Sequence, residues 1–207
     1  MTGPGAHTEP ASRDFRASRA VWLVARREFV ARVRGRVLEV GAGEGENFGA
    51  FDPGVEWVGL EPDGKRRAEL ATRAREWRHG AEPLDALAES IPLPDASVDA
   101  VVGTYVLCSV GDPAAALAEI RRVLVPGGRV VFVDHVLAPP RTLKRAVQRV
   151  ATPFSKRLCH GCHWDRDTEQ ALASAGFTGV DVRRLRVRSM PFGPVPMLLF
   201  DGRAPSA

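Results

Sequence analysis

Residues 37–45 read Val-Leu-Glu-Val-Gly-Ala-Gly-Glu-Gly, and this stretch constrains the fold more than any other part of the chain. Residues 37–40 are mostly apolar with β-branched Val37 and Val40 at the ends, the composition of a short buried strand. Gly41, Gly43 and Gly45 then break the pattern before a helix can start. Glycine has no Cβ and tolerates positive φ, so a strand, glycine turn and helix start can bring backbone N–H groups and a helix N-terminus close to a bound molecule. Such a turn suits a nucleotide-like cofactor. A dinucleotide fingerprint, G-x-G-x-x-G, would need its third glycine at position 46, where the chain carries Glu46. Here the glycines alternate behind an acidic Glu39 instead.

A second pattern lies further on. Leu124-Val-Pro126-Gly127-Gly128 turns the chain into Arg129-Val-Val-Phe-Val133, a β-branched strand. Together, the E-x-G-x-G-x-G loop and the L-x-P-G-G turn resemble class I methyltransferases. That resemblance implies an α/β, Rossmann-like fold: a seven-stranded, mostly parallel sheet with helices on both faces and an antiparallel last strand. It also implies S-adenosyl-L-methionine as cofactor, with Gly41, Ala42, Gly43, Gly45 and Asn47 in the loop beside its methionine part. Glu39 would serve either as a partner for the cofactor's positive charges or as an anchor for the loop.

A length of 207 residues, 44% of them hydrophobic, fits one domain. Residues 1–11 read as a disordered tail and residues 12–207 as that domain. The net charge of +4 comes from basic residues scattered over several segments and not interleaved with aromatics, which argues against nucleic acid. No run approaches a membrane span and no signal-peptide core opens the chain, so a cytoplasmic enzyme is expected. Three cysteines in a reducing compartment predict no structural disulfide. Residues 12–34 predict an arginine-rich amphipathic helix. It could lie on a membrane surface, but packing on the core or capping the cleft is the preferred reading.

Residues 55–60 predict a second strand, ending at Glu61-Pro62-Asp63. Glu61 lies 20 positions after Gly41 and can accept both hydroxyls of a ribose, which makes Glu61 and Pro62 cofactor-side residues. Residues 64–78 predict a helix and residues 99–104 a fourth strand. Between them, Ala88 and Glu89 are similar to the adenine-side loop of small-molecule methyltransferases, although the acidic residue there is commonly two places earlier, at Leu87 here. Thr104 ends the fourth strand, and Tyr105 and Cys108 follow it, at the end where such sheets bind ligands. Cys108 reads equally well as a small core hydrophobe. Asp112-Pro113 predicts a helix start, and residues 177–187 and 195–200 the two last strands.

The run Thr104-Tyr-Val-Leu-Cys-Ser-Val110, with Asp134-His135-Val136, Gly161-Cys162, Arg166-Asp-Thr168 and Ala175-Gly176-Phe177, resembles the small thiol S-methyltransferases of the animal methyltransferase-like group and their bacterial relatives. The resemblance implies methylation of a small, fairly apolar thiol, with O- or N-methylation of a secondary metabolite or lipid headgroup as the alternative. The chain differs from that group in lacking its apolar N-terminal membrane anchor and in carrying Asp134 where glutamate is expected. His135, beside Asp134 at a strand's carboxyl end, is the candidate base, because its ordinary pKa near 6.5 suits proton removal. His160, His163 or no base at all are the other readings.

Residues 139–165 predict a lid over the cleft, opening with a helix over residues 139–156. Within it, Cys159-His160-Gly161-Cys162-His163 has the spacing of a haem c attachment site, but haem attachment needs export. Cys159, His160, Cys162, His163 and Asp165 offer zinc ligand types, yet are too closely spaced to close a tetrahedron readily. No metal is expected on that ground.

Overall fold

A computed structural model describes residues 15–77, 79, 82–158, 161–189 and 193–206. The tail expected over residues 1–11 lies outside the described residues, as do Cys159 and His160.

The glycine-flanked run forms strand β2 (Arg36–Val40), and the strands expected around it also appear: β3 (Glu56–Leu60), β4 (Val98–Thr104) and β5 (Leu124–His135). All pair in parallel, β2 lying between β3 and β4, and β4 against β5. β6 (Thr178–Ser189) and β7 (Gly193–Arg203) complete that side, with β7 antiparallel to both β5 and β6. Among the described residues the sheet has seven strands. Its seventh member is a surprise. Phe15–Ala17, inside the expected N-terminal helix, is a short strand β1 parallel to β6, and helix α1 runs only over Arg19–Val30. Ser18 separates the two, its hydroxyl capping α1 by accepting from the Val21 N–H. Numbering residues 99–104 as a fourth strand left a third to precede it. There, among the described residues, the chain makes a single bridge, Leu60 to Leu84, behind Pro83, which has no N–H to give a ladder.

Residues along each central strand alternate between two buried layers. Leu38, Val101, Val130 and Phe132 face helices α3 (Pro113–Val123) and α5 (Thr168–Ser174) through Leu117, Ile120 and Leu172. Val37, Ala100, Val102, Val131 and Val133 face α1 and α2 (Gly64–Glu76) through Trp22, Phe29, Leu70 and Ala74. A sheet covered on both faces needs apolar residues at every position, which is why these strands read as continuous runs. Asp63 and Asp112 cap α2 and α3, and Pro113 occupies the first turn of α3.

Helix α4 (Leu143–Leu158) starts later than expected, after the Pro139-Pro140 pair, with the Thr142 hydroxyl accepting from the Arg145 N–H. Its faces are reversed from the usual order. Gln148, Thr152 and Ser155 are buried, whereas Leu143, Val147, Val150 and Phe154 are exposed. Among the described residues no helix is long and apolar enough to cross a membrane.

Candidate active site

In an open parallel sheet, ligands sit outside the carboxyl ends of the strands where the strand order reverses. That point lies between β2 and β4, since the chain passes from β2 outward to β3 and then back to β4. A cleft of about 830 Å³ opens there, within the usual 300 to 1,000 Å³ of small-molecule sites. Gly41, Ala42 and Gly43 line it, as do Glu61, Pro62, Ala88, Glu89, Thr104, Tyr105, Cys108 and His135. Gly41 has φ +60°, and a Cβ there would meet the Val106 side chain at 2.7 Å, so the turn and its close packing both require glycine.

Beneath the loop is a polar anchor. Glu39 is buried, its Oε1 accepting from Asn47 Nδ2 at 2.7 Å and its Oε2 from Trp57 Nε1 at 2.8 Å. Asn47 also donates to Thr104 Oγ1 and accepts from Arg26 Nη2. Burial raises the Glu39 carboxyl to about 7, against the opposing pull of the Trp57 and Asn47 donors. Of the two roles open to Glu39, this geometry is that of an anchor. Glu39, Gly45 and Asn47 form no part of the cleft wall; they shape the loop from behind. Gly45 takes φ +78° and lies against the Phe48 ring.

Glu61 does reach the cleft. It is 3% exposed, with Oε2 accepting from the Gly43 N–H at 2.9 Å and Oε1 from the Asp63 N–H at 3.1 Å. Each carboxylate oxygen keeps a second lone pair for a hydroxyl. Glu89 lines the cleft too, but its Oε1 accepts from the Gly111 and Asp112 N–H groups at 2.6 and 3.0 Å and braces the turn into α3.

The opposite wall is built after β4, at the end of β5 and after α4. Tyr105 has φ +59°, and its hydroxyl accepts from Trp22 Nε1 at 2.8 Å, so α1 both packs on the core and touches the cleft wall. Burial raises the Tyr105 phenol above its ordinary range. His135 faces the cleft, with Nε2 2.8 Å from Cys162 Sγ. Cys108 Sγ, Cys162 Sγ and a ring nitrogen of His135 all lie within 4.8 Å of one another. A hydrogen bond with Cys162 and burial push the Cys108 thiol far above the usual thiol range. Burial alone would lower the His135 imidazole, but the neighbouring Cys108 and Asp134 outweigh it and hold it above its ordinary value.

Asp134 is not where its pairing with His135 suggested. It is fully buried below the wall, its carboxylate accepting from the backbone N–H groups of Leu107 and His135 at 2.9 Å each. Burial raises its pKa. Asp134 therefore positions the wall from beneath. The approach of Cys108, His135 and Cys162 was missed from sequence. They sit on three separate segments, and no local spacing signals the contact.

Comparison with known proteins agrees with this architecture. Residues 38–132 match the family described as Methyltransferase domain. The human thiol S-methyltransferase TMT1B is 33% identical over 182 residues, covering 82% of this chain and 75% of that protein. The chain spans 66% of the length of the rat TMT1B it matches at 35% identity. Phosphatidylethanolamine N-methyltransferase of Cereibacter sphaeroides is 31% identical over 172 residues, covering 80% of this chain and 78% of that one. Among solved structures, YcgJ of Bacillus subtilis superposes with TM-score 0.69 at 19% identity, covering 90% of this chain and 99% of its own. The geranyl diphosphate C-methyltransferase of Streptomyces coelicolor, solved with S-adenosyl-L-homocysteine, superposes with TM-score 0.67 at 16% identity, covering 88% of this chain and 80% of its own.

Proposed function

The chain belongs to the methyltransferase-domain family, and from that membership we propose that it transfers the methyl group of S-adenosylmethionine to a small, fairly apolar thiol. The observation that carries the cofactor half is Glu61, a buried carboxylate fastened between the Gly43 and Asp63 N–H groups and open to the cleft. Gly41, Ala42 and Gly43 would hold the methionine part, Glu61 and Pro62 the ribose, and Ala88 and Glu89 the adenine side. Thr104, Tyr105 and Cys108 would border the cofactor on the β4 side. When bound, the cofactor supplies a methyl group on a positively charged sulfur.

This chain's residues have two further tasks. The first is to hold the acceptor in line with that methyl group in a cleft from which water is excluded, and well-oriented pairs can gain about 7 to 11 kcal/mol this way. The second is to handle one proton. A thiol is already a few per cent thiolate at neutral pH and intrinsically nucleophilic, so a single modest base is enough. His135, which lines the cleft, takes that proton, and Asp134 fixes the backbone from which the imidazole projects. The 33% identity to a thiol S-methyltransferase over most of the chain supports sulfur as the accepting atom.

A second reading is N-methylation of a lipid headgroup, favoured by the similarity to the Cereibacter sphaeroides enzyme. Incubation with methyl-labelled S-adenosylmethionine and matched thiol, phenol and amine acceptors, with phosphatidylethanolamine alongside, separates the two. Label in the thioether alone is the expected result. Label in the amine or the lipid with none in the thiol would overturn it.

A further inference from the structure

We propose that Cys108 Sγ, His135 Nε2 and Cys162 Sγ together bind one zinc ion on the acceptor wall of the cleft, leaving its fourth ligand position open to the substrate. Zinc favours tetrahedral sets of thiolate and imidazole, and catalytic sites use three protein ligands plus one exchangeable position. The three ligand atoms are mutually within 4.8 Å, and all three residues border the cleft. Zinc–sulfur and zinc–nitrogen bonds of roughly 2.3 and 2.0 Å place neighbouring ligand atoms about 3.5 Å apart. The 2.8 Å contact between His135 and Cys162 therefore opens by under an ångström on loading.

Much of the frame is held through the backbone. His163 N–H donates to the Cys108 carbonyl at 2.8 Å, the Ser155 hydroxyl to the Cys162 carbonyl at 2.7 Å, and Arg166 to the carbonyls of Leu107 and Val110. Asp134 holds the backbone N–H groups of Leu107, next to Cys108, and of His135 from below, the kind of outer partner that orients metal ligands.

The chemical consequence rests on the thiol reading above. An acceptor R–SH entering the open position gives up its proton to solvent and binds as thiolate. Its sulfur forms a bond to the methyl carbon as the sulfonium C–S bond breaks, and that electron pair stays on S-adenosylhomocysteine. Nothing is oxidised or reduced. The thioether product is neutral and a weaker ligand, so it leaves. In the metal-free protein His135 takes the proton; in the loaded protein it is a ligand.

The test uses the full chain, reduced with a phosphine and stripped by chelator. Titration with Co2+ should show one equivalent with tetrahedral ligand-field bands and a sulfur-to-cobalt charge-transfer band. Zinc affinity should fall at least about 100-fold in Cys108→Ser and in Cys162→Ser, the upper end of what losing even an outer partner costs, and stay unchanged in Cys159→Ser. Uptake that lacks the sulfur band, or that survives both serine variants together, would overturn the site. The wild-type spectrum decides even if a variant fails to fold. Thiophenol should then strengthen the sulfur band while phenol leaves it unchanged. If cobalt loads on the trio but thiophenol changes nothing, the metal site stands and the thiol reading falls.

Helix α4 carries a second inference independently. We propose that its exposed face lies on an anionic lipid bilayer. Leu143, Val147, Val150 and Phe154 recur at helical spacing on one exposed stripe, while the buried side is polar and satisfied: Gln148 bonds Ala138 N–H and the Val136 carbonyl, and the Ser155 hydroxyl bonds the Cys162 carbonyl. Among its described side chains the helix holds Lys144, Arg145, Arg149 and Arg157, and it has no acidic residue, which complements negative headgroups. Flotation with vesicles of phosphatidylcholine containing about one-third phosphatidylserine should carry the protein up, pure phosphatidylcholine far less. Val150→Glu/Phe154→Glu, both solvent-facing, should abolish flotation with an unchanged melting curve. No flotation, or flotation that the double variant retains, would overturn it.

Discussion

The two walls of the cleft are built by different means. The wall proposed for the donor comes from one continuous stretch and its neighbour, the glycine loop and Glu61 beside it, with Glu39 as an anchor beneath, all tied by bonds between residues at most 18 apart in sequence. The acceptor wall is assembled from Cys108, His135 and Cys162, with 27 positions between His135 and Cys162. A wall made of one motif suits a molecule whose shape never changes. A wall gathered from separate loops can be altered one segment at a time, as suits a variable substrate.

If that division holds, substitutions on the two walls should separate cofactor affinity from turnover. Glu61→Ala should have the largest effect. Two backbone donors lose a charged acceptor and the cofactor loses its hydroxyl partner, so affinity for S-adenosylmethionine by calorimetry should fall at least about 100-fold, at roughly 1.5 to 3 kcal/mol per charged bond. His135→Ala should lower turnover on the order of 100-fold with cofactor affinity near normal. The wild-type rate should rise with pH as His135 loses its proton. Because neighbouring Cys108 and Asp134 hold that imidazole above its ordinary value, the rising limb should lie above pH 6.5. A limb that stays in the variant would assign it to another group.

Smaller effects probe the anchor. Glu39→Gln leaves either Trp57 Nε1 or Asn47 Nδ2 facing an amide NH2, and should destabilise the fold by about 1 to 3 kcal/mol in urea titrations. Glu39 binds its proton more tightly folded than unfolded, since burial lifts it from 4.5 to about 7. Its contribution is thus fully present below pH 4.5 and fades as pH rises toward 7. The Gln variant should show a flatter stability profile across that window. Tyr105→Phe removes only the acceptor of the Trp22 indole bond, and should cost about 1 kcal/mol of stability.

The glycine-loop wall was legible in sequence as backbone because its signals are local. Alternating glycines, an acidic residue at a strand end, Asp-Pro before α3 and Pro-Gly-Gly before β5 each state a backbone requirement within a few residues. What escaped depends on distant partners. Phe15–Ala17 becomes a strand only because Leu185–Val187 is there to pair with it. Glu89 has the right composition for a ligand contact, yet its Oε1 is engaged by two backbone N–H groups that no spacing rule identifies. Asp134 and His135 are adjacent in sequence, but alternation along β5 sends them to opposite destinations, one under the wall and one into the cleft. Cys162 stood out within a Cys-x-x-Cys-His run, whereas the partners that give it chemistry lie on other segments.

The central claim is that one cleft holds donor and acceptor at once, on separate walls. Titrating thiophenol into protein saturated with S-adenosylhomocysteine tests it directly by calorimetry. One equivalent should bind to the saturated wild-type protein, and this binding should be lost in His135→Ala while S-adenosylhomocysteine still binds. Thiophenol that displaces S-adenosylhomocysteine, or that binds equally well without His135, would contradict the account.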